Sequence, residues 1–306
     1  LINSGDFPSR NNDALDFDDL QLADRWILSR LMRVNRETAE RLENYALGEA
    51  AKGLYEFAWN DFCDWYLELI KPRLNPSQSS KDLLDDKNIS QKVMLKVLSD
   101  LLIMIHPLMP HLTEELWHGI TNKPHQELLA LNSWPQANED FLDEDLESSF
   151  IQLFASIKVV RNLRAEAGLK PSQKVPVCFI TSNKSLVDIL SKSKTDIQVL
   201  TRAYEVNIIT PEQLDQRPST KSLAAVSGEL EVLLPLEGLV DFEALIGRLK
   251  KDLIKAEKEI SNLKNRLNNK NFTEKAPKDV VDQCRKNLSE VVAQADLAKN
   301  RLASLV

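Results

Sequence analysis

Apolar residues near the C-terminal end of the chain follow the most regular pattern in the sequence. From Phe242 to Leu267 they recur at alternating intervals of four and three positions. This heptad spacing is typical of a helix that packs one apolar stripe against another helix, as in a coiled coil. The stripe consists of Phe242, Ile246, Leu249, Leu253, Ala256, Ile260, Leu263 and Leu267.

A second heptad stripe with the same number of layers lies further along the chain. It consists of Val281, Cys284, Leu288, Val291, Ala295, Ala298, Leu302 and Leu305. Residues 268–280, between the two stripes, include Asn268, Asn269 and Pro277, which favour a chain reversal. We therefore predict an antiparallel two-helix coiled coil within one chain. At 1.5 Å per residue its first helix is roughly 40 Å long, so we expect it to project as an arm.

The N-terminal part of the chain shows the period of amphipathic helices. Helices are predicted at about residues 22–44, 47–70 and 89–105, and a short fourth helix begins near Thr113. Pro72 is expected to end the second helix, and residues 75–88 read as a polar loop. Residues 1–20 lack a clear period and are interpreted as a linker, which leaves a helical bundle at residues 21–145.

Strand-like segments begin only after residue 146. A helix through Leu163 is expected to stop at Gly168, and β-branched runs predict strands at residues 175–180, 206–209 and 229–234. Residues 184–190 between them read as a helix. The predicted fold is therefore mainly α: a helical bundle, a small α+β junction module at residues 146–236, and the antiparallel coiled coil at residues 237–306.

Charge separates the predicted arm from the rest of the chain. Residues 238–306 carry 14 basic and 10 acidic side chains, a net charge of +4, whereas the first 237 residues have a net charge of −11. A basic rod suggests contact with nucleic acid, although basic residues also solubilise coiled coils in general. The candidate contacts on the first arm helix are Lys250, Lys251, Lys255, Lys258, Lys264 and Arg266.

Composition limits the remaining possibilities. No run of 18 apolar residues is present, so no membrane span is expected. Cys63, Cys178 and Cys284 are far apart and form no paired motif, which fits a reducing cytoplasm. The chain begins with Leu1 and a polar stretch, and we interpret it as a piece of a longer protein.

No catalytic motif is found in the sequence. The glycine-rich phosphate loops and the nucleophile-elbow pattern are absent from a chain with only eight glycines. Four histidines lie within 20 residues, but their spacings of 5, 7 and 7 place no pair at i and i+4 on one helix face, so no metal site is predicted. They are His106, His111, His118 and His125.

Aromatic and basic residues of the bundle are the other candidates for nucleic-acid contact. The aromatic residues 55–66 could stack on unpaired bases, but Phe62, Trp65, Tyr66 and Leu69 share one helical stripe and are expected in the core. Basic residues beside the bundle are better candidates for phosphate or base contacts, with a solvated helix face as the alternative. These are Arg25, Arg30, Arg33, Lys71 and Arg73.

Three motifs of the bundle resemble the anticodon-binding domain of class I aminoacyl-tRNA synthetases of the valine, leucine and isoleucine group. They are Leu22-Ala-Asp-Arg-Trp-Ile-Leu28, Trp59-Asn-Asp-Phe-Cys-Asp-Trp-Tyr-Leu-Glu-Leu-Ile-Lys-Pro72 and His106-Pro-Leu-Met-Pro-His-Leu-Thr-Glu-Glu-Leu-Trp117. Further segments resemble the valyl-tRNA synthetase family in particular, so that the likeness extends over essentially the whole chain. They are Val160-Arg-Asn-Leu-Arg-Ala-Glu166, Pro235-Leu-Glu-Gly-Leu239 and Phe272-Thr-Glu-Lys-Ala-Pro277.

The resemblance implies a function in tRNA binding. The bundle would read the anticodon stem-loop of a valine-specific tRNA, and the arm would hold the corner where the D and T loops meet. ATP-dependent valylation, with Mg²⁺, would belong to catalytic and editing domains outside these residues, because both ATP-site signatures of the family are absent. No cofactor is expected in the chain itself, which should be an inactive monomer in isolation. The alternative is a helical protein-interaction scaffold whose coiled coil is merely solvated.

Overall fold

The computed structural model describes residues 15–75, 80–121, 126–136, 138–218, 221–269 and 277–305. Most of these residues are helical, as predicted, and a four-stranded sheet accompanies the helices. Along the chain the helices and strands are α1 (Leu22–Glu43), α2 (Leu47–Glu56), a π-helical segment (Phe57–Tyr66), α3 (Leu67–Leu74), α4 (Lys81–Ile105), α5 (Pro110–Thr121), α6 (Glu144–Glu166), β1 (Val175–Ile180), α7 (Lys184–Lys192), α8 (Lys194–Thr201), β2 (Ala203–Ile209), β3 (Ser222–Ser227), β4 (Leu230–Pro235), α9 (Phe242–Asn268) and α10 (Lys278–Leu305).

The chain divides into two compact units between Ile151 and Gln152, inside α6. The first unit is the helical bundle. Its core contains the aromatic stripe that the sequence predicts, since Phe62, Trp65, Tyr66 and Leu69 are all buried. The finer division into linker, bundle, junction module and arm stays a prediction, and residues 1–14 of the predicted linker lie outside the described part of the chain.

The second predicted helix is longer than expected. Helical structure runs without a break from α2 through the π-helical segment into α3, and Pro72 lies inside α3. The prediction that Pro72 ends the helix was therefore wrong. A proline removes one backbone donor, but Leu69 and Ile70 are buried next to it and Arg73, one residue beyond, is held by two carboxylates.

The helix α4 begins at Lys81, eight residues before the predicted start. Ser80 caps it, with its hydroxyl accepting a hydrogen bond from the Leu83 amide at 3.4 Å. The polar loop predicted at residues 75–88 was therefore wrong over its second half. The first turns of α4 are exposed and mostly polar, and their leucines Leu83 and Leu84 also lie at the surface, so this part has a helix cap but little of the hydrophobic period that identifies a helix in the sequence.

The second unit contains the mixed sheet, with strand order β2-β1-β4-β3. The strands β1 and β2 are parallel, and β4 is antiparallel to both β1 and β3. The predicted strands at residues 175–180, 206–209 and 229–234 correspond to β1, β2 and β4. The sequence missed α8 and the edge strand β3, whose small residues Ala224 and Ala225 give a weak strand signal.

The helices α9 and α10 pack against each other through the two predicted stripes. On α9 every predicted stripe position is buried or half-buried, and the side chains between them are largely exposed. On α10 the stripe is likewise covered from Val281 to Leu302, while the side chain of Leu305 is outside the described set. Nine residues link the helices, too few to run back along a 40 Å helix at about 3.4 Å per residue, so the pair is antiparallel.

Candidate nucleic-acid interface

Two arginines of α1 converge on one buried carboxylate. Arg30 Nη1 lies 3.2 Å and Arg33 Nε 2.9 Å from Glu147 Oε2, at the start of α6. Arg30 also donates to Asp61 at 2.9 Å, and Arg33 to Glu144 at 3.2 Å. Both guanidinium groups are about a quarter exposed and are committed to intramolecular carboxylates.

Glu147 is the centre of this cluster. The Ser29 hydroxyl donates to its Oε1 at 2.5 Å, and its side chain is 8% exposed. Burial raises the pKa of a carboxyl group, but the hydrogen bonds from Ser29, Arg33 and Arg30 outweigh it and leave the pKa of Glu147 below its ordinary value. The cluster therefore joins α1 to α6 through a charged carboxylate.

Arg73 is held between two carboxylates, with its side chain 11% exposed. Its guanidinium donates in bidentate geometry to Asp24, at 3.0 and 2.8 Å, and also to Asp86 at 2.7 Å. Asp24 is fully buried and accepts a further hydrogen bond from the Tyr66 hydroxyl at 2.8 Å. Burial alone would lower the pKa of Arg73, but its bonds to Asp24 and Asp86 raise it above the ordinary value. These contacts give Arg73 a structural role.

The remaining two bundle cations are more accessible. Arg25 lies 4.0 Å from Asp143 and places its guanidinium 4.2 Å from the centre of the Phe17 ring. Lys71 pairs with Glu68 one turn earlier, and its side chain is 62% exposed. Whether any of these five cations touches a nucleic acid stays a prediction, and the ion pairs favour the exposed Lys71 over Arg73, which two carboxylates hold.

The arm presents a different arrangement. Lys250, Lys251, Lys255, Lys258, Lys264 and Arg266 are all exposed on α9. Among the described residues, no carboxylate forms an ion pair with Lys250, Lys251 or Lys255. An ion pair between the two arm helices joins Lys299 to Glu257 at 3.2 Å. Exposed lysines on a helix are suited to contacts with a phosphate backbone.

Two aromatic side chains of the bundle differ from the buried stripe. Tyr55 and Trp59 are 66% and 57% exposed, and their rings are nearly parallel, with centroids 6.4 Å apart. The helical period identified the buried members of this stretch correctly. On a regular α-helix the spacings of four and three would place Tyr55 and Trp59 on the same face as Phe62, so the sequence did not predict that this pair is exposed.

The histidines are not arranged as a metal site within the described residues. His106 Nδ1 lies 2.8 Å from Thr113 Oγ1, and His118 Nε2 lies 3.4 Å from Glu114 Oε1. His125 is outside the described part of the chain. Over the described ranges, no group of three histidine, cysteine, aspartate or glutamate residues could hold a metal ion, and no helix is both long and apolar enough to cross a membrane.

The chain is similar in sequence to several valine–tRNA ligases. A valine–tRNA ligase of Prochlorococcus marinus strain NATL2A is 63% identical over the whole chain, and one of Parasynechococcus marenigrum is 59% identical. A valine–tRNA ligase of Synechocystis is 38% identical over 94% of the chain. The chain spans about a third of the length of these relatives.

Two family models match this chain, one in its N-terminal half and one at its C-terminal end. The model described as the valyl-tRNA synthetase tRNA-binding arm matches residues 241–306, which contain α9 and α10. The model described as the anticodon-binding domain of tRNA ligase matches residues 24–179, half of the chain. These matches confirm the resemblance seen in the sequence: the chain belongs to the family of tRNA ligase anticodon-binding domains, joined here to a tRNA-binding arm of the valyl type.

Proposed function

We propose that this chain binds valine tRNA, with the bundle at the anticodon stem-loop and the α9–α10 arm at the corner where the D and T loops meet. The observation that carries this proposal is the presence of both family matches in one chain, the second of them on a helix with exposed cations. The bundle would supply selectivity for the anticodon. The arm would supply affinity that does not depend on sequence.

The five bundle cations would share this work unequally. We assign direct contact with anticodon-stem phosphates to Lys71 and Arg25, which are the more exposed. Arg30, Arg33 and Arg73 would instead hold the helices of the bundle in place, because each forms ion pairs with carboxylates of the bundle. On the arm, the six exposed cations would contact the tRNA backbone.

The complete protein would be a cytoplasmic valine–tRNA ligase. Valylation would use ATP and Mg²⁺ in regions that the relatives have in addition to the length that this chain matches. The chain itself would be the tRNA-holding part and would not charge tRNA alone. The three cysteines are all free thiols, which supports a reducing compartment.

A salt series tests the role of the arm. The change is Lys250→Gln, Lys251→Gln, Lys255→Gln and Lys258→Gln in one variant. We expect weaker binding to valine tRNA and a flatter plot of log affinity against log salt, by roughly 0.7–0.9 for each phosphate that the arm no longer neutralises. Binding to an unrelated tRNA, measured in parallel, reports the selectivity that remains with the bundle.

The matched control removes four exposed lysines from the sheet-containing unit, through Lys170→Gln, Lys174→Gln, Lys184→Gln and Lys194→Gln. It changes the net charge equally but leaves the arm intact, so its salt slope should stay close to wild type. An unchanged slope in the arm variant would exclude the arm as a phosphate-binding surface. Failure of the wild-type chain to bind any tRNA would favour the alternative, a protein-interaction scaffold.

A further inference from the structure

An exposed apolar stripe runs along the outer face of α2 and the π-helical segment. Leu47, Ala51, Tyr55 and Trp59 follow one another at intervals of four residues, and all are exposed. Residues four apart on a helix are neighbours, so these side chains form one continuous strip. The larger members are far from buried: Leu47 is 52% exposed, Tyr55 66% and Trp59 57%. Exposure of this extent at an aromatic pair marks a surface suited to a partner.

The two rings at the end of the strip form a platform. Tyr55 and Trp59 lie at an interplanar angle of 3°, with centroids 6.4 Å apart. Phe57 and Phe62 of the same helical segment are buried, and the Leu67 amide donates to the Phe62 carbonyl five residues earlier. This π-helical hydrogen bonding fixes the segment on the core side while the aromatic pair stays outside.

One ion pair flanks the platform. Lys52 and Glu56 lie beside it with their charged groups 3.8 Å apart, so these two charges offset each other. Lys52 is 74% exposed and could approach one phosphate. Stacking of a base on an aromatic side chain needs an exposed ring face and tolerates any base. In RNA the bases available for such stacking are the unpaired bases of loops, which can be splayed onto aromatic rings.

We propose that Tyr55 and Trp59 form a stacking platform for unpaired bases of the tRNA anticodon loop. This inference rests on the proposed function, since the strip lies within the residues that match the anticodon-binding domain. It adds a base-contacting pair to the candidate contacts of the bundle, which were otherwise cationic. The platform binds base faces, so its contribution to affinity depends only weakly on salt, in contrast to that of the arm.

Tryptophan fluorescence reports on the platform directly. All five tryptophans lie in the described residues, and Trp59 is the exposed one. Titration of the full chain with an RNA hairpin that copies the valine tRNA anticodon stem-loop should quench this emission. A hairpin with the same stem and a short, tightly closed loop offers no splayed bases and should leave the emission nearly unchanged.

Three variants separate stacking from folding. Trp59→Ala and Tyr55→Ala should each weaken binding of the anticodon hairpin by about 10-fold, because stacking on a ring contributes substantially for each base. Trp59→Phe keeps a ring and should bind within about threefold of wild type, but without the fluorescence change. Tyr204→Ala removes a 55%-exposed aromatic from the second unit and should bind like wild type.

The outcomes distinguish this inference from the proposed function. If the chain binds valine tRNA with the expected salt dependence but Trp59→Ala binds the hairpin as tightly as wild type, the platform is overturned and the function stands. If wild type binds neither RNA, both fail. Sedimentation tests whether a second copy of the chain occupies the strip instead. A dimer that dissociates in Trp59→Ala would also overturn the proposal that the platform stacks on bases.

Discussion

At the residue scale, two buried carboxylates decide what the basic residues of the bundle do. Asp24 holds Arg73, and Glu147 holds Arg30 and Arg33. Sequence patterns show a cation on a helix, but they do not show whether an acidic partner reaches it from a distant part of the chain. No such pattern marks Glu147, since it is more than 110 positions away from both arginines.

Removal of the Arg73 guanidinium is expected to destabilise the bundle. In Arg73→Gln, the fully buried Asp24 loses its charged partner, which should cost about 3 kcal/mol of unfolding free energy. Urea denaturation followed by tryptophan fluorescence measures this change, because all five tryptophans lie in the first unit. Lys71→Gln is the matched control: its ion pair is exposed, so the loss should stay below about 1 kcal/mol. Equal losses in the two variants would contradict the structural role of Arg73.

Glu147 makes the free energy of unfolding of the bundle depend on pH, and its lowered pKa sets the direction of that dependence. Its pKa is lowered in the folded state, so the stabilisation is complete above the ordinary pKa of a glutamate side chain and is lost as the pH falls through the folded value. Glu147→Gln should therefore lose about 2 kcal/mol at neutral pH, and the gap to wild type should close in acid. Denaturation midpoints of both proteins across this range provide the measurement.

Asp61 titrates with the opposite sign, because burial raises its pKa despite the attraction of Arg30. The wild-type profile therefore mixes two contributions, and the difference between wild type and Glu147→Gln reports Glu147 together with its coupling to Asp61, whose pKa the Glu147 charge also raises. A difference that stays constant from neutral to acidic pH would show that the Glu147 carboxylate is not selectively stabilised in the fold.

At the element scale, the arm is the part whose structure follows most directly from local pattern. Two stripes of equal length and a short link leave one antiparallel arrangement that buries both. The base of the arm adds a contact that the heptads do not encode: Arg301 of α10 is 6% exposed and pairs with Glu166 at the end of α6. The stripe sets the pairing of the helices, and such contacts anchor them to the rest of the second unit.

Two neighbouring positions on α9 test the stripe. Leu249 is 4% exposed and Ile254 is 66% exposed on the same helix. Leu249→Ala should destabilise the arm by about 2–3 kcal/mol, whereas Ile254→Ala should change it by less than about 0.5 kcal/mol. Thermal melts monitored by far-ultraviolet circular dichroism compare the two. A larger effect from Ile254→Ala would place the stripe on the wrong face of α9.

At the scale of the whole molecule, the burial of the two heptad stripes against each other predicts that the chain is a monomer. The apolar residues of α9 and α10 cover each other within one chain, so no second chain is needed to bury them. We expect sedimentation equilibrium to give the monomer mass at micromolar concentration. A stable dimer that survives the Leu249→Ala substitution would point to another self-association surface and would favour the scaffold alternative.

The candidate interface of the arm could be predicted from the sequence in more detail than that of the bundle. The exposed lysines of the arm could be predicted residue by residue, because a heptad stripe also identifies the face opposite to it. The bundle could not be treated in this way. Arg33 and Lys71 look alike in the sequence, but one is held by Glu147 and the other is 62% exposed beside Glu68.

The sequence by itself determined the class of fold, the helix-rich order of the chain, the two stripes of the arm and the buried aromatic face of the bundle, because each is encoded by local periodicity. It also carried enough family-specific motifs to identify the anticodon-binding family of tRNA ligases. Only the tertiary structure decided which cations are paired, that the helix continues past Pro72, that β3 completes the sheet, and that Tyr55 and Trp59 remain outside the core. These features depend on contacts between residues far apart along the chain, and such contacts have no period to detect.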